Sequence, residues 1–433
     1  MKKISGRITA VIASVFIVFF GCIPSYGIIH ADGKINYSET VAETDSLNTE
    51  ENLTLHARAA ALMDASNMRL LYGKDENTVY PMASTTKIMT LIIALEYGNP
   101  DEIVTFSPYA AIQPDVQMNA VNGEQYRLKD LLYALMLRSY NDVAVAVAEH
   151  IGEKYLKNED VLQTDSKEIN SRTKEESREY VKVFADLMNE KAKSYGCENT
   201  YFITPNGLDA KDENNIHSTT AYEMAVIASH AVQNEEVLEI CGTDSYSFSE
   251  INNKRTVSVT NADKFLMMMD GALGLKTGFT GEAGYCFVGA VKKDNRILVS
   301  VVLGSGWPPN KNYKWEDTKK LMNYGFKNYF EQIVFRRDDY FKNISVIDGT
   351  QEYVTTEICY NLKMLIKEGE KVTIEYIIPD EICAPVNENT QIGTAVISID
   401  GKEYRGIPVL AGETVLKKNF FMFLRKIFGY FLY

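Results

Sequence analysis

Residues 81–97 read PMASTTKIMTLIIALEY, an apolar stretch that opens with a serine and a lysine three positions apart. The pattern predicts a helix from Ser84 to Tyr97 that ends before Gly98. A helix that is apolar on most of its surface belongs in the core of a domain. Residues three apart lie on the same helix face, so Lys87 can reach the hydroxyl of Ser84. The stretch therefore predicts a buried central helix that begins with a paired alcohol and amine.

Strand patterns lie on both sides of this helix along the chain. The predicted elements are a hairpin over 58–72, strands at 273–278, 285–291 and 297–303, and a closing helix at 315–330. Asp294-Asn295 makes a turn between the last two strands. We predict an α/β domain whose antiparallel sheet combines both ends of the segment, with helices between them.

Two further motifs follow the serine and lysine in order. Ser139-Tyr140-Asn141 interrupts an apolar helical stretch at 128–150, and Lys276-Thr277-Gly278 ends a predicted strand. S-x-x-K, S-x-N and K-T-G form the motif set of serine enzymes that act on D-alanyl peptides or β-lactams. Second copies at 171–174 and 46–48 lie in polar segments that cannot hold a reacting geometry.

With its neighbouring motifs, the chain resembles the serine-type D-alanyl-D-alanine carboxypeptidases, the low-molecular-mass penicillin-binding proteins. Residues 81–83, 135–138, 204–209 and 278–280 read PMA, LMLR, TPNGLD and GFT. The resemblance covers roughly residues 57–330. It implies a β-lactamase/transpeptidase-like domain, with an antiparallel sheet covered by helices on both faces and a helical cluster.

The catalytic roles of Ser84 and Lys87 follow from their spacing, as nucleophile and base. As a base Lys87 must lose a proton, so its pKa must fall by about 3 units from the usual lysine value of about 10.4. Burial, the start of a helix and a second cation can lower it by that much. Lys276 is the natural second cation.

The resemblance implies the remaining site residues. Ser139 would pass a proton to the leaving amine and Asn141 would bind the substrate amide. Lys276 and Thr277 would hold the terminal carboxylate, and Gly278 would let the substrate lie along the strand edge. The backbone amides of Ser84 and Phe279 would form the oxyanion hole. His217 is expected to be structural.

Composition and charge exclude several classes of function. A formal net charge of −13 argues against a nucleic-acid partner. The five histidines include no H-E-x-x-H pattern, and the cysteines beyond Cys22 form no C-x-x-C pair, so neither a metal hydrolase nor a zinc site is expected. We expect no cofactor.

The N-terminus predicts an export signal over residues 1–31, followed by an acidic tether over 32–56. Lys2, Lys3 and Arg7 precede an apolar run, and small residues follow it. Lipidation at Cys22 is an alternative that the two preceding phenylalanines disfavour. The protein is therefore expected on the extracytoplasmic face of the cell membrane.

The domains expected along the chain are a peptidase domain over 57–332, which contains a charged, solvated insertion at 156–180, a small β-sandwich over 335–412, and an amphipathic helix over 415–433. The final segment is shorter than the roughly 20 apolar residues that span a bilayer. Its cations and its aromatic residues fall in separate arcs of a helical wheel, so we expect an interfacial helix on an anionic membrane surface. The alternative is a terminal helix that packs on the protein itself.

The resemblance implies an enzyme that removes the terminal D-alanine from peptidoglycan pentapeptide stems through an acyl-serine, and that β-lactams inhibit covalently. A class A β-lactamase is an alternative, but the E-x-x-L-N motif that such enzymes use for deacylation is missing from the sequence. A penicillin-binding sensor that stays acylated is another. Release of D-alanine distinguishes the carboxypeptidase from the sensor.

Overall fold

The computed structural model describes residues 53–157, 169–337, 342–420 and 422. The predicted export signal and nearly all of the predicted tether lie outside these residues, as does most of the predicted amphipathic helix. Within the described ranges the chain forms two compact units. The first contains residues up to 337 together with 359–370, and the second contains 342–358 and the residues from 371 onward.

The first unit combines a central sheet with a large set of helices. Its helices are α1 (Lys87–Tyr97), α2 (Pro108–Ala111), α3 (Leu128–Arg138), α4 (Asn141–Lys157), α5 (Lys174–Ser194), α6 (Ala221–Ala231), α7 (Glu235–Gly242) and α8 (Tyr313–Asn328). Its strands are β1 (Ala59–Asp64), β2 (Arg69–Lys74), β3 (Ile103–Thr105), β4 (Gln125–Arg127), β5 (Ser245–Ser249), β6 (Thr256–Thr260), β7 (Ala272–Thr280), β8 (Gly284–Lys293), β9 (Arg296–Leu303) and β10 (Tyr329–Phe335).

The central sheet has the order β2-β1-β9-β8-β7, and all its neighbouring strands are antiparallel. Alternate residues of β1 enter two separate cores, because successive side chains of a strand point to opposite faces. Ala61 and Met63 belong to the core that contains α1 and α6, whereas Ala60 and Leu62 belong to the core that contains α8. The predicted antiparallel sheet, assembled from both chain ends and covered on both faces, is confirmed.

The helical cluster on one side of the sheet includes α1, α3, α4 and α5. Helices α3 and α4 replace the single stretch at 128–150, and they meet at the predicted interruption. Helix α5 begins with a capping box in which Thr173 and Glu176 bond each other's backbone amides.

The charged insertion is less solvated than its composition indicates. Residues 158–168 lie outside the described part of the chain, but Ile169 and Ser177 are buried. The side chain of Arg172 is 6% exposed and contacts the carboxylate of Glu153 on α4. The prediction of a solvated surface is wrong for these three residues. For Arg172 the reason is that its charge is paired with an acid far from it in sequence.

The last residues of the predicted tether also pack on the first unit. Asp317 of α8 accepts hydrogen bonds from the backbone amides of His56 and Ala57, at 3.0 and 2.8 Å. Leu55 belongs to the core that α8 covers. The packed domain therefore begins slightly earlier along the chain than residue 57.

The second unit is all-β. Its strands are β11 (Asn343–Ile347), β12 (Tyr353–Glu357), β14 (Val372–Ile377), β15 (Glu381–Cys383), β16 (Gln391–Ile399) and β17 (Lys402–Ala411), in a sheet of order β14-β16-β17-β12-β11-β15. Asp400-Gly401 turns the chain between β16 and β17, with φ of 50° and 77°. The predicted small β-domain is confirmed as an all-β unit.

Two boundaries differ from the sequence-based ones. Strand β13 (Leu362–Lys367), which we assigned to the β-domain, pairs with β10 and belongs to the first unit. Val415, which we assigned to the terminal helix, is fully buried in the β-domain and pairs with Val386. A β-bridge at Lys417 follows, so helical residues start only near Phe420. Among the described residues, no helix has the length and apolarity needed to cross a membrane.

Candidate active site

The S-x-x-K motif spans a 3-10 turn and the first residue of α1. The turn covers Ala83–Thr86, and Lys87 begins the helix. Ser84 is half-buried, whereas Lys87 has no exposed surface. Ala83 has φ of 49°, a left-handed backbone that costs an ordinary residue about 1–2 kcal/mol. The surrounding contacts therefore impose the conformation of the residue before Ser84.

The amine of Lys87 is held by three oxygen atoms. Its Nζ lies 3.1 Å from Ser84 Oγ and 2.9 Å from the side-chain oxygen Oδ1 of Asn141. The backbone carbonyl of Asn206 accepts a third hydrogen bond, at 2.5 Å. The three predicted residues Ser84, Lys87 and Asn141 are thus brought into one hydrogen-bonded group.

The electrostatic environment of Lys87 favours its neutral form. Burial is the main cause, and the positive charge of Lys276 adds to it, so that the pKa of Lys87 falls well below the ordinary lysine value. The carboxylate of Asp142 acts in the opposite direction. Both causes of the lowering are the ones that the sequence argument required.

Ser139 and Asn141 lie where α3 ends and α4 begins. Ser139 caps α3 with a left-handed φ of 65°, and its backbone amide donates to Leu135. Both positions therefore have a structural role in the turn, whatever their chemistry.

The amide of Asn141 is more fully used than we predicted. Its Nδ2 donates to the backbone carbonyls of Pro114 and Asp115, both at 3.0 Å, while Oδ1 accepts from Lys87. An amide nitrogen has two hydrogens, and here both are taken by the protein. Only Oδ1, which can accept a second bond, remains available for a substrate amide.

The K-T-G motif lies on β7, which is the edge strand of the central sheet. A β-carbon added to Gly278 would lie 2.9 Å from the backbone nitrogen of Ser84. Glycine is therefore required for β7 to approach the serine turn so closely. This contact brings the third motif against the first.

The backbone of Phe279 faces the open edge of the sheet. Its partner on β8 is Tyr285, whose amide donates to the Gly306 carbonyl and whose carbonyl accepts from the Ser305 amide, on the opposite side of that strand. Opposed residues in an antiparallel pair alternate between bonded and non-bonded pairs, so Phe279 and Tyr285 form a non-bonded pair. The amide of Phe279 therefore points away from β8, toward the edge where a substrate can add.

Lys276 is buried beside this edge. Its Nζ donates to the carbonyl of Thr277 at 2.9 Å. Burial lowers the pKa of Lys276 to about 8, against the opposing effect of the Asp263 carboxylate. The Asp263 carboxylate offsets the charge of Lys276 only in part. A cation of this kind at an open strand edge can hold a carboxylate of the substrate.

The sequence did not indicate the contacts that two parts of this site make. The loop after Thr204 supplies the Asn206 carbonyl, and Gly207 has φ of 84° with no room for a side chain against the Ala83 carbonyl. The Pro-Asn-Gly sequence does signal a tight turn, but a backbone carbonyl has no residue type that marks it. The second part is the set of contacts made by His217.

Comparison with known proteins gives a consistent result. The family model for D-alanyl-D-alanine carboxypeptidases (peptidase S11) matches residues 46–157 and 180–306, more than half of the chain. The model for the C-terminal domain of penicillin-binding protein 5 matches residues 329–417. The unmatched residues between the first two ranges coincide with the predicted charged insertion.

Relatives match over most of their length. The D-alanyl-D-alanine carboxypeptidase DacF of Bacillus subtilis is 29% identical over 396 residues, 90% of this chain and 93% of that protein. The D-alanyl-D-alanine carboxypeptidase DacC of Escherichia coli is 26% identical over 392 residues, 86% of this chain and 88% of that protein.

Solved structures share the fold. Penicillin-binding protein 5 of Haemophilus influenzae is similar with a TM-score of 0.66 at 24% identity, covering 84% of this chain and 99% of that one. The Streptomyces K15 DD-transpeptidase is similar with a TM-score of 0.54 at 28% identity, covering 64% of this chain and 98% of that one.

Proposed function

This chain belongs to the D-alanyl-D-alanine carboxypeptidase family of serine peptidases, and we propose that Ser84 is its acylated nucleophile and Lys87 the base. The protein is a serine-type D-alanyl-D-alanine carboxypeptidase with a role in cell-wall metabolism. The family acts on peptidoglycan stem peptides and is sensitive to β-lactams. The hydrogen bonds made by Lys87 Nζ are the observation that supports the roles of Ser84 as nucleophile and Lys87 as base.

The partners of Lys87 explain how the amine acts as a base. Two of them, the Asn141 side-chain oxygen and the Asn206 carbonyl, can only accept hydrogen bonds. A neutral amine has two hydrogens and one lone pair. When those two acceptors take the hydrogens, the lone pair is left for Ser84, whose hydroxyl hydrogen turns from the Asn206 carbonyl, 3.3 Å from Oγ, toward Nζ. The serine proton moves to Nζ as Oγ attacks the carbonyl of the penultimate D-alanine.

The tetrahedral intermediate carries a negative charge on the former carbonyl oxygen. The amides of Ser84 and Phe279 are the proposed donors to it, supported by the close approach of β7 to the serine turn. Collapse of the intermediate breaks the C–N bond, and Ser139 relays the proton from Lys87 to the leaving D-alanine amine. Water then hydrolyses the acyl-serine and releases the shortened peptide.

Substrate binding is proposed at the open edge of β7. The peptide adds as a further strand along Gly278, so that its backbone bonds to groups such as the Phe279 amide. The charge of Lys276 and the hydroxyl of Thr277 hold the terminal carboxylate. Specificity for a free C-terminus follows, because a buried cation without that carboxylate is costly.

Turnover of a peptide tests this function. Purified protein and its Ser84→Ala variant are incubated with a pentapeptide that ends in D-Ala-D-Ala, and free D-alanine is measured. The wild-type protein is expected to release many equivalents and the variant none. Labelling by penicillin without D-alanine release would instead support the sensor, and labelling of the variant would move the nucleophile to another serine.

We further propose that the protein acts outside the cytoplasm and rests on the membrane through its final residues. Leu416 and Phe420 are 61% and 72% exposed, which supports an apolar surface at the start of that segment. Lys417 and Lys418 add positive charge beside it, and each such cation near an anionic surface contributes about 1 kcal/mol.

Removal of residues 416–433 tests the anchor and leaves the buried Val415 in place. The full chain is expected to float with vesicles that contain anionic lipid, and the truncated chain is expected to remain in solution. Neutral vesicles are the control for the charge contribution. Equal binding of both chains would reject the anchor without affecting the catalytic assignment.

A further inference from the structure

His217 lies beneath the serine turn, where it links two separate segments of the site. Its side chain is buried, at 3% residue exposure. Nε2 lies 2.8 Å from the hydroxyl of Thr86, in the turn that carries Ser84. Nδ1 accepts from the backbone amide of Ile203 at 3.0 Å, at the start of the loop that supplies the Asn206 carbonyl.

These contacts fix the protonation of the ring. A backbone amide can only donate, so Nδ1 has no proton and Nε2 carries one. The Thr86 hydroxyl donates its own hydrogen to the Ala83 carbonyl, at 2.8 Å, and therefore accepts from His217. A directed chain of hydrogen bonds runs from Ile203 through His217 and Thr86 to Ala83.

The backbone on either side reinforces the link. Thr219 exchanges hydrogen bonds with Tyr80, just before the serine turn, at 2.8 and 3.0 Å. Ser218 exchanges hydrogen bonds with Tyr201, just before the Asn206 loop, at 2.8 and 3.1 Å. Residues 217–219 thus join the segment that presents Ser84 to the segment that holds Lys87.

The chain of hydrogen bonds ends at Ala83, the strained residue of the site. Ala83 has φ of 49°, and its carbonyl lies against Gly207 of the same loop. Ser84 and Thr86 lie in the same short turn, whereas the loop holds Lys87 Nζ through the Asn206 carbonyl, so a shift of the turn would move Ser84 Oγ relative to Lys87 Nζ. The contact from His217 to Thr86 opposes such a shift of the turn.

We propose that His217 is a positioning residue that sets the distance between Ser84 and Lys87 through Thr86. It does not touch the reacting atoms. The inference rests on the proposed function of these two residues and adds a specific prediction to it. Loss of the Thr86 contact slows acylation without weakening the first, noncovalent binding of a β-lactam.

Two substitutions of His217 distinguish the contact that Nδ1 makes from the contact that Nε2 makes. His217→Asn places an amide near the Nδ1 position, so it keeps a partner for Ile203 and loses the donor to Thr86. His217→Gln reaches the Nε2 position and restores that donor. The first-order acylation rate constant and the noncovalent dissociation constant for a chromogenic cephalosporin are measured by stopped flow.

The acylation constant of His217→Asn is expected to fall about ten- to a hundredfold, the cost of a small misplacement of reacting groups. His217→Gln is expected to recover most of the rate, and the dissociation constant to stay within about twofold in both. An unchanged rate in His217→Asn overturns the inference. Equal slowing in both variants also overturns it, since a purely structural ring would give that result.

Substitution of Thr86 provides an independent route. Thr86→Val removes the hydroxyl and keeps the shape, and Thr86→Ser keeps the hydroxyl. Thr86→Val is expected to be as slow as His217→Asn, and the double variant no slower than either, because they break one link. Additive losses would contradict a shared path. His230→Asn, in a ring that stacks on Tyr195 away from the site, is the matched control and should acylate normally.

Rates are expressed per active site, counted by the acylated fraction in intact-mass spectra, so partly unfolded protein does not imitate slow chemistry. The intact-mass spectrum of the wild-type protein also distinguishes a failure of the proposed function from a failure of the positioning role of His217. If Ser84 is never acylated, the proposed function fails. If it is acylated and His217→Asn reacts at the wild-type rate, only the positioning role fails.

Discussion

Two turns with left-handed backbone, one at the active site and one in the β-domain, differ in what imposes them. Gly401 has φ of 77° in the β16–β17 hairpin, and a β-carbon there would meet nothing within 4 Å. Gly207 has φ of 84°, and a β-carbon there would overlap the Ala83 carbonyl. The first turn is set by its own two residues, whereas the second is set by a partner far away in sequence.

The same contrast holds for charge. Lys402 at the start of β17 is exposed, as lysines normally are, whereas Lys87 and Lys276 are buried. The β-domain follows the ordinary rules of burial and turn chemistry. The active site departs from them where the chemistry requires a neutral amine and a strained turn.

Lys87 gives the largest expected difference between the two regions. Lys87→Met should lower the acylation rate by about 10²–10⁴-fold, since a general base is removed. Lys402→Met should leave the rate unchanged. The measurement is cephalosporin acylation per folded protein. Near-normal acylation of Lys87→Met would mean that another group takes the serine proton.

The paired glycines give the next difference. Gly207→Ala is expected to slow acylation at least about tenfold, because the loop that holds Lys87 must shift away from the serine turn. Gly401→Ala should cost about 1–2 kcal/mol of unfolding free energy through its φ alone and leave acylation normal. Thermal unfolding and stopped-flow rates measured on both variants test this. Equal effects on the rate would remove the distinction between the two turns.

The pH dependence of peptide hydrolysis reports on Lys276. Its pKa is lowered to about 8, so the charge that binds the carboxylate is lost as pH rises through that value. We expect kcat/KM to fall on the alkaline side near pH 8. Lys276→Arg, whose charge persists, should move that limb to higher pH. If the alkaline limb of kcat/KM does not move in the variant, that limb reports on a group other than Lys276.

The smallest expected effect concerns stability in acid. Burial, with a contribution from Lys87, lowers the pKa of His217 from 6.5 to about 3. The unfolded chain therefore binds more protons between these values, and stability falls as pH drops from about 6.5 toward 3. His217→Gln should lose less stability over this range than the wild-type protein. Identical slopes of unfolding free energy against pH would show that His217 is not buried in its neutral form.

Much of the fold follows from local patterns. The hairpin turns at 294–295 and 400–401 and the break between α3 and α4 are encoded by residues close together in the chain. Strand β1, buried on both faces, reads as a continuous apolar run with no alternation. The sheet could therefore be predicted in outline, together with the motifs that meet at β7.

The remaining features depend on partners distant in sequence. Nothing near Arg172 indicates that Glu153 will neutralise it, and nothing near Val415 indicates that it pairs with Val386. The Asn206 carbonyl and the amide contacts of Asn141 involve main-chain atoms, which every residue possesses. Residue type could mark the nucleophile, its base and Asn141, but not the main-chain carbonyl groups that orient Lys87 and Asn141.

The protonation state of Lys87 can be measured directly, by NMR titration of protein labelled with ¹³C at the lysine ε-carbons and assigned with Lys87→Met. A base that is neutral while the enzyme works should titrate well below the usual lysine pKa of about 10.4. A midpoint near that ordinary value would contradict activation of Ser84 by an uncharged Lys87.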